Sequence, residues 1–269
     1  MTLPLTQAAI TVLNTRNARL KAWVSRAFAD QWRSGTIHEI GAAHAVSRPA
    51  RPEKPALLNP ANMPRRTPGH SVQNRIALLH ALAHIELNAV DLAWDMIVRF
   101  TCFDTAEMPR DYFDDWVQIA DEEAKHFLLL DERLRELGGC YGDLPAHDGL
   151  WESAHDTRDD FAARLAVVPM VLEARGLDVT PGMISRLKGN GDLESARILK
   201  IIHDEEITHV KNGKKWFEWV ADKQGETDAE AYWQDLVESY FKGKLKRPFN
   251  VDSRNRANFP QDWYEPLAV

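Results

Sequence analysis

Cysteine is scarce in this chain, and so are long apolar runs. The two cysteines, Cys102 and Cys140, are too few for a disulfide scaffold, and neither belongs to a Cys-x-x-Cys pair or neighbours a histidine. No run approaches the roughly 18 apolar residues of a membrane span, and the first residues lack the basic start and cleavage site of a signal peptide. We therefore expect a soluble, cytoplasmic protein with no membrane partner.

Excess positive charge is also missing. The net charge of −7 argues against a general nucleic-acid binder, and the 44% hydrophobic content is ordinary for one globular core. A local basic patch remains compatible with these totals. If a nucleic acid is the substrate, six residues are expected near its phosphates, although solvated surface clusters explain them equally well: Arg65, Arg66, Lys242, Lys244, Lys246 and Arg247.

The most informative stretch is residues 199–217, an amphipathic helical pattern that contains the segment DEEITH. Glu206 and His209 are three residues apart, which puts them on one helix face about 4.5 Å apart along the axis. Apolar residues at helical spacing predict that this face is buried. An ionised carboxylate in a core is costly unless it is paired or bound to metal, so the pair is a candidate metal ligand set.

A second copy of this arrangement makes an accidental match improbable. Residues 121–126 read DEEAKH, and Glu123 and His126 precede Glu206 and His209 by 83 positions each. The apolar stripe around the second copy again faces inward. The sequence therefore predicts a duplicated metal site.

Single glutamates precede each copy on helical patterns. Glu86 lies on the apolar face of residues 75–100, and Glu173 lies on that of residues 158–176. The resulting order is Glu, Glu-x-x-His, Glu, Glu-x-x-His, which is the ligand pattern of a two-metal centre in a ferritin-like four-helix bundle. The predicted ligands are Glu86, Glu123, His126, Glu173, Glu206 and His209.

The predicted fold is all-α, with a single ferritin-like domain over residues 1–269. The bundle helices are expected at about 72–100, 110–138, 157–176 and 191–222, with a kink at Pro169 and a break after Gly176. Residues 1–71 should form an extra helix and a proline-rich arm, for which a solvated linker is the alternative. Residues 223–269 should form a C-terminal helix and tail.

The amino-acid sequence around these motifs resembles that of a known family. The segments are RPARPEKP, MPRRTPG, LLHALAHIELNAVDLAWD, DEEAKHFLLLDERLRELG, YGDLPAHDGLW, LEARGLDVTPGMI and KRPFN, and they span about residues 40 to 260. Together they resemble the bacterial ferritin-like domain-of-unknown-function family 455. The resemblance implies the ferritin-like fold, and it points to the methylthio-isopentenyladenosine tRNA hydroxylases as characterised relatives. It does not imply a specific reaction.

Several neighbouring polar residues have two interpretations. Glu122 and Glu205 each precede a predicted ligand histidine by four residues and could orient it, although exposed helix acids are the commoner case. His203 is either a further ligand or outer partner, or a core histidine with its hydrogen bonds satisfied. His80 and His84 point away from Glu86 on the helical wheel and should be structural or surface residues.

The donor set favours two iron ions, with an iron and manganese pair as the alternative, because imidazole and carboxylate suit these metals. The first functional hypothesis is an O2-dependent oxygenase or hydroxylase that acts on a small molecule or modified nucleoside, tRNA included, with a reductase as electron donor. Iron oxidation and storage is the second hypothesis. A radical-generating subunit would need a tyrosine near the metals, and Tyr112, eleven residues before Glu123, is the nearest on a ligand helix. A non-catalytic metal-binding or interaction protein is the last.

Overall fold

Over the residues that the structure describes, the protein is all-α, as predicted, apart from one two-stranded hairpin. The structure is a computed structural model that describes residues 3–64 and 71–269. The described chain forms two compact units, one that ends at Trp151 and one that begins at Glu152. The expectation of a single ferritin-like domain stays a prediction.

The first unit contains the first two predicted bundle helices, and a short helix follows at its boundary with the second unit. The helices and strands are α1 (Leu5–Leu13), α2 (Ala18–Arg33), α3 (Val72–Arg99), β1 (Cys102–Phe103), β2 (Ala106–Glu107), α4 (Arg110–Glu136) and α5 (Gly149–Asp156), with a 3-10 turn at Pro60–Asn62.

The second unit contains α6 (Phe161–Val167), a π-helical stretch that we call the π segment (Val168–Glu173), α7 (Ala174–Gly189), α8 (Leu193–Gln224), α9 (Ala229–Tyr240), α10 (Val251–Arg256) and α11 (Gln261–Tyr264). The predicted C-terminal helix is therefore α9, and the predicted tail contains two further short helices.

Helix α3 is the centre of the first unit and packs against α1 and α4. Ser71 caps its N-terminus, where the Ser71 hydroxyl accepts a hydrogen bond from the Asn74 backbone N–H at 3.2 Å. Among the described residues, α3 is the one helix long and apolar enough to span a membrane, but 67% of its most apolar window is buried. That burial is typical of a core helix in a soluble protein.

The N-terminal region forms two helices, so the prediction of one helix there was wrong. The chain turns after Leu13, and α2 restarts behind Asn17, whose side chain accepts a hydrogen bond from the Leu20 backbone N–H. An N-cap of this kind satisfies a free N–H of a new helix and so favours a separate start.

The proline-rich arm, as far as it is described (residues 46–64), forms hydrogen bonds with the rest of the first unit at two points. The backbone N–H of Ala50 donates to the Leu13 carbonyl at 2.8 Å, and the backbone N–H of Leu58 donates to the Ala146 carbonyl at 2.8 Å. These contacts fit the predicted extended arm and not a solvated linker.

In the second unit, the predicted break after Gly176 was wrong, because α7 continues to Gly189 with Pro181 inside it. Proline at this position removes the hydrogen bond to the Leu177 carbonyl. The side-chain amide of Asn250 donates to that carbonyl instead, at 3.2 Å. Burial of Leu177, Ile184 and Leu187 also supports the continued helix.

Candidate metal centre

The first unit brings three of the predicted ligands together. Glu86 lies on α3, and Glu123 and His126 lie on α4; all three side chains are buried. Nδ1 of His126 is 3.1 Å from Oε2 of Glu86 and 3.5 Å from Oε2 of Glu123. One donor atom from each residue lies within 4.8 Å of the others, which is a spacing that a single metal ion could bridge.

Two carboxylates at this depth repel each other when both are ionised. Burial raises the pKa of Glu86 well above its ordinary value, and the charge of Glu123 raises it further, whereas His126 opposes both effects. A bound cation would remove this conflict, because it attracts the ionised form of every carboxylate around it. The electrostatics of the cluster therefore fit a metal site.

The second unit presents the other Glu-x-x-His pair on α8. Nδ1 of His209 lies 3.6 Å from Oε2 of Glu206; His209 is fully buried, and the Glu206 side chain is 12% exposed. The helix carries both residues on one face, as the three-residue spacing predicts. Asp192 caps the N-terminus of α8, where its carboxylate accepts a hydrogen bond from the Ser195 backbone N–H, and Gly225, with φ +80°, caps its C-terminus.

Glu173 is the last residue of the π segment and is partly buried. The segment begins beside Pro169, where the sequence predicted a kink, because proline has no N–H to continue the α-helical pattern. π-Helical turns inside α-helices are frequent at functional sites. Gly213 of α8 allows close packing here, since a Cβ at residue 213 would lie 2.4 Å from Cβ of Pro169.

The neighbouring polar residues are placed as follows. His203 is buried, with Nε2 3.2 Å from the hydroxyl of Ser253 and a hydrogen bond to the Leu177 backbone, an environment typical of a core histidine. Glu122 accepts a hydrogen bond from Gln118 and, with it, lines a surface groove. Glu205 is partly buried. Their roles around a metal stay predictions.

His80 and His84 are structural residues of the first unit, as predicted. Nε2 of His80 accepts the Gly142 N–H at 2.9 Å, and His84 bonds the Tyr141 hydroxyl at 2.9 Å and the His147 carbonyl at 3.0 Å. Burial lowers the pKa of His84 to about 4, which keeps the ring neutral. Both rings therefore hold the loop that follows α4.

Sequence reasoning missed two further buried acids on α3. Asp91 pairs with Lys21 and with Arg51 of the arm, and Asp95 pairs with Arg99. The residues next to them, Val90, Leu92, Ala93, Trp94 and Met96, are apolar and buried, so an acid on this stretch was the available signal. Their cationic partners distinguish them from Glu86. A buried acid is thus a metal ligand candidate only when no cation of the chain neutralises it.

The six basic residues proposed for phosphate contacts have different environments. Arg65 and Arg66 lie outside the described residues. Lys242 pairs with Asp156, and Arg247 pairs with Glu265. The remaining two, Lys244 and Lys246, are exposed.

Comparison with known proteins gives a family but no chemistry. The chain is 40% identical over 219 residues to an uncharacterized protein from Haemophilus influenzae, a match that covers 80% of this chain and 75% of that protein. No solved structure matches the chain. The model of the family described as "Protein of unknown function (DUF455)" matches residues 14–265, and the chain belongs to that family.

Proposed function

We propose that this protein is a ferritin-like di-metal carboxylate enzyme that uses O2 to oxidise a bound substrate. The observation that carries the proposal is the buried cluster of Glu86, Glu123 and His126, whose donor atoms lie within 4.8 Å of one another. Two ionised carboxylates at this depth are costly unless positive charge accompanies them, and a bound metal ion would supply that charge.

The second half of the proposed site repeats the first. Glu206 and His209 reproduce the spacing of Glu123 and His126 on α8, and Glu173 corresponds to Glu86 in chain order. In a ferritin-like bundle, two single glutamates and two Glu-x-x-His pairs surround one pair of ions. We propose that the two halves form one centre of this kind, with six protein ligands.

The donor set fits iron, or a mixed iron and manganese pair. Four carboxylates balance the four positive charges of two divalent ions, and imidazole binds such ions well. A structural zinc site usually has four protein ligands, which include sulfur or several imidazoles and leave no open coordination position. Six protein ligands for two ions leave positions open for O2, water or substrate.

When bound, the iron pair would supply Lewis acidity and the electrons that reduce O2. The residues of the chain hold and shield it. His126 and His209 are fully buried, which excludes bulk water from the imidazole side of the site. The π segment sets the position of the Glu173 side chain at its end, and Gly213 lets α8 approach that segment closely. A reductase that returns electrons after each turnover is part of the proposal.

The test is the reaction of the iron-loaded, chemically reduced protein with O2. The oxygenase account predicts rapid O2 uptake in proportion to bound iron, which stops after one turnover unless reductant is added. Iron should then be offered far beyond two ions per chain. Continued oxidation and retention of the excess iron would favour the storage hypothesis, and no O2 uptake by iron-loaded protein would remove the oxygenase hypothesis.

A further inference from the structure

A cationic pocket lies on the second unit, beside the π segment. Its volume is about 260 Å³, and its walls include Val171 and Leu172 of that segment, Arg175 of α7 and the chain from Phe241 to Phe249. The pocket is smaller than the roughly 300–1,000 Å³ typical of sites for drug-sized ligands. It is large enough for one compact charged group.

The charge of the pocket is strongly positive, although the protein as a whole is negative. Four cations line it, Arg175, Lys244, Lys246 and Arg254, against one carboxylate, Asp178, which leaves an excess of three positive charges. Asp178 is fully buried and already accepts two hydrogen bonds from Arg254, at 2.8 and 2.9 Å. It neutralises Arg254 and also lies 3.5 Å from Nη1 of Arg175. The two lysines and the opposite edge of the Arg175 guanidinium are left for a ligand.

Arg175 is prepared to bind an anion. Its Nη1 donates to the Lys246 carbonyl at 2.7 Å and the Pro248 carbonyl at 3.3 Å, which fixes the guanidinium against the chain that closes the pocket. Its Nε and Nη2 make no hydrogen bond within the described part of the chain. That edge of a guanidinium binds two oxygens of a phosphate or carboxylate at once.

The two lysines complete the positive side. Both are exposed, and neither side chain pairs with a carboxylate among residues 3–64 and 71–269. Phe241 and Phe249 supply apolar wall, and Gly243 permits this arrangement, because a Cβ there would lie 2.4 Å from Cζ of Phe241. The pocket thus combines a fixed arginine, two free ammonium groups and aromatic surface.

From this geometry we propose that the pocket binds the phosphate group of a small phosphomonoester. A phosphomonoester carries nearly two negative charges and three acceptor oxygens, which match one arginine edge and two lysines better than a single carboxylate does. The remainder of the ligand would lie against the aromatic wall at the pocket mouth. The proposal does not rest on the metal centre.

The experiment is calorimetric titration of the full chain with inorganic phosphate, AMP and adenosine at constant ionic strength. Phosphate and AMP should bind and compete with each other, and adenosine should not bind. Lys244→Ala and Lys246→Ala should each weaken AMP binding roughly five- to tenfold, the size expected for a charge-assisted hydrogen bond at a partly exposed site. Lys188→Ala, which removes an exposed lysine from α7 away from the pocket, should leave it unchanged.

Arg175→Lys keeps the charge but removes the Nε and Nη2 edge of the guanidinium, so it should also weaken AMP binding. Its thermal unfolding transition should show that the variant is folded. Absence of phosphate and AMP binding in the unaltered chain would overturn the proposal, as would equal affinities in all variants. Binding of a single-stranded oligonucleotide that AMP does not displace would overturn the proposal and indicate a nucleic-acid-binding surface instead. Metal content, measured on the same samples, tests the di-metal proposal separately.

Discussion

Nδ1 of His126 lies 3.1 Å from Oε2 of Glu86, so α3 and α4 present an imidazole and a carboxylate to the same buried point. Neither residue is close to the other in sequence. The periodicity of two separate helices brings them together, and the same relationship determines how the metal-free protein should respond to pH.

Glu86→Gln should abolish metal binding without destabilising the metal-free protein. Folding raises the pKa of Glu86, so the folded state favours the protonated acid. The free energy of unfolding that this group contributes is therefore largest below the unfolded pKa and is lost as pH rises toward the folded pKa. Glutamine resembles the neutral acid, so metal-free Glu86→Gln should have a Tm at pH 7 equal to or above that of the unaltered chain, and the difference should shrink near pH 4.5. Glu132→Gln, an exposed acid on α4, is the control and should retain metal. A lower Tm with metal retained would contradict this account.

Gly213→Ala should disturb the π segment. The new methyl group would lie 2.4 Å from Cβ of Pro169, so α8 and the segment must separate, at a cost of about 1–3 kcal/mol in the free energy of unfolding. Gly182→Ala is a matched control, because it also replaces a helical glycine but meets nothing within 4 Å. It should stabilise the protein by about 0.5–1 kcal/mol. Urea unfolding of both variants measures the difference, and two equal shifts would refute the close packing.

Asp91→Ala should detach the arm. The substitution leaves the buried Lys21 without its carboxylate and leaves Arg51 with only the more distant Asp148, at 3.8 Å, and the amide of Asn88. Loss of one partner from a buried ion pair costs about 3–5 kcal/mol. Hydrogen exchange of the amides of Ala50 and Leu58 should accelerate, because both are bonded to the first unit. Glu53→Ala removes an exposed acid from the arm itself and should leave exchange unchanged. Unchanged protection in Asp91→Ala would show that the ion pairs do not hold the arm.

His80 should make stability fall in acid. Burial lowers its pKa from 6.5, with the charge of Asp143 opposing, so the unfolded chain takes up the proton first. The free energy of unfolding should therefore decrease as pH falls through 6.5 toward the folded value. His84, whose pKa is lowered to about 4, contributes to the same decrease, so His80→Gln should reduce its slope without abolishing it. The exposed His38→Gln should leave the profile intact. Parallel profiles for His80→Gln and the unaltered chain would exclude this role.

The helices with the predicted Glu-x-x-His pairs were located from sequence almost to the residue. Residues 110–138 and 191–222 were expected, and Arg110–Glu136 and Leu193–Gln224 were found, because long amphipathic patterns determine helix position strongly. The end of the third helix was not predictable in this way. A partner 73 residues away, Asn250, accounts for the Leu177 carbonyl that Pro181 leaves without a helical donor.

Part of the ligand set could be predicted from the sequence for the same reason. Spacing on one helix predicts which glutamate and histidine share a face, so the pairs at Glu123 and Glu206 could be found. Spacing does not show which other buried acids have a cation nearby. Asp91 is neutralised from α2 and the arm, and only the folded chain reveals those contacts.

The most direct test of the central claim is the metal content of three proteins from iron-supplemented cells: the unaltered chain, Glu123→Ala and Glu206→Ala. The account predicts about two metal ions per chain in the first, as a ferritin-like ligand set requires, and clear loss of the pair in both variants with the helical content retained. Full occupancy in both variants, or an unaltered chain that binds no metal, would contradict the assignment of the site.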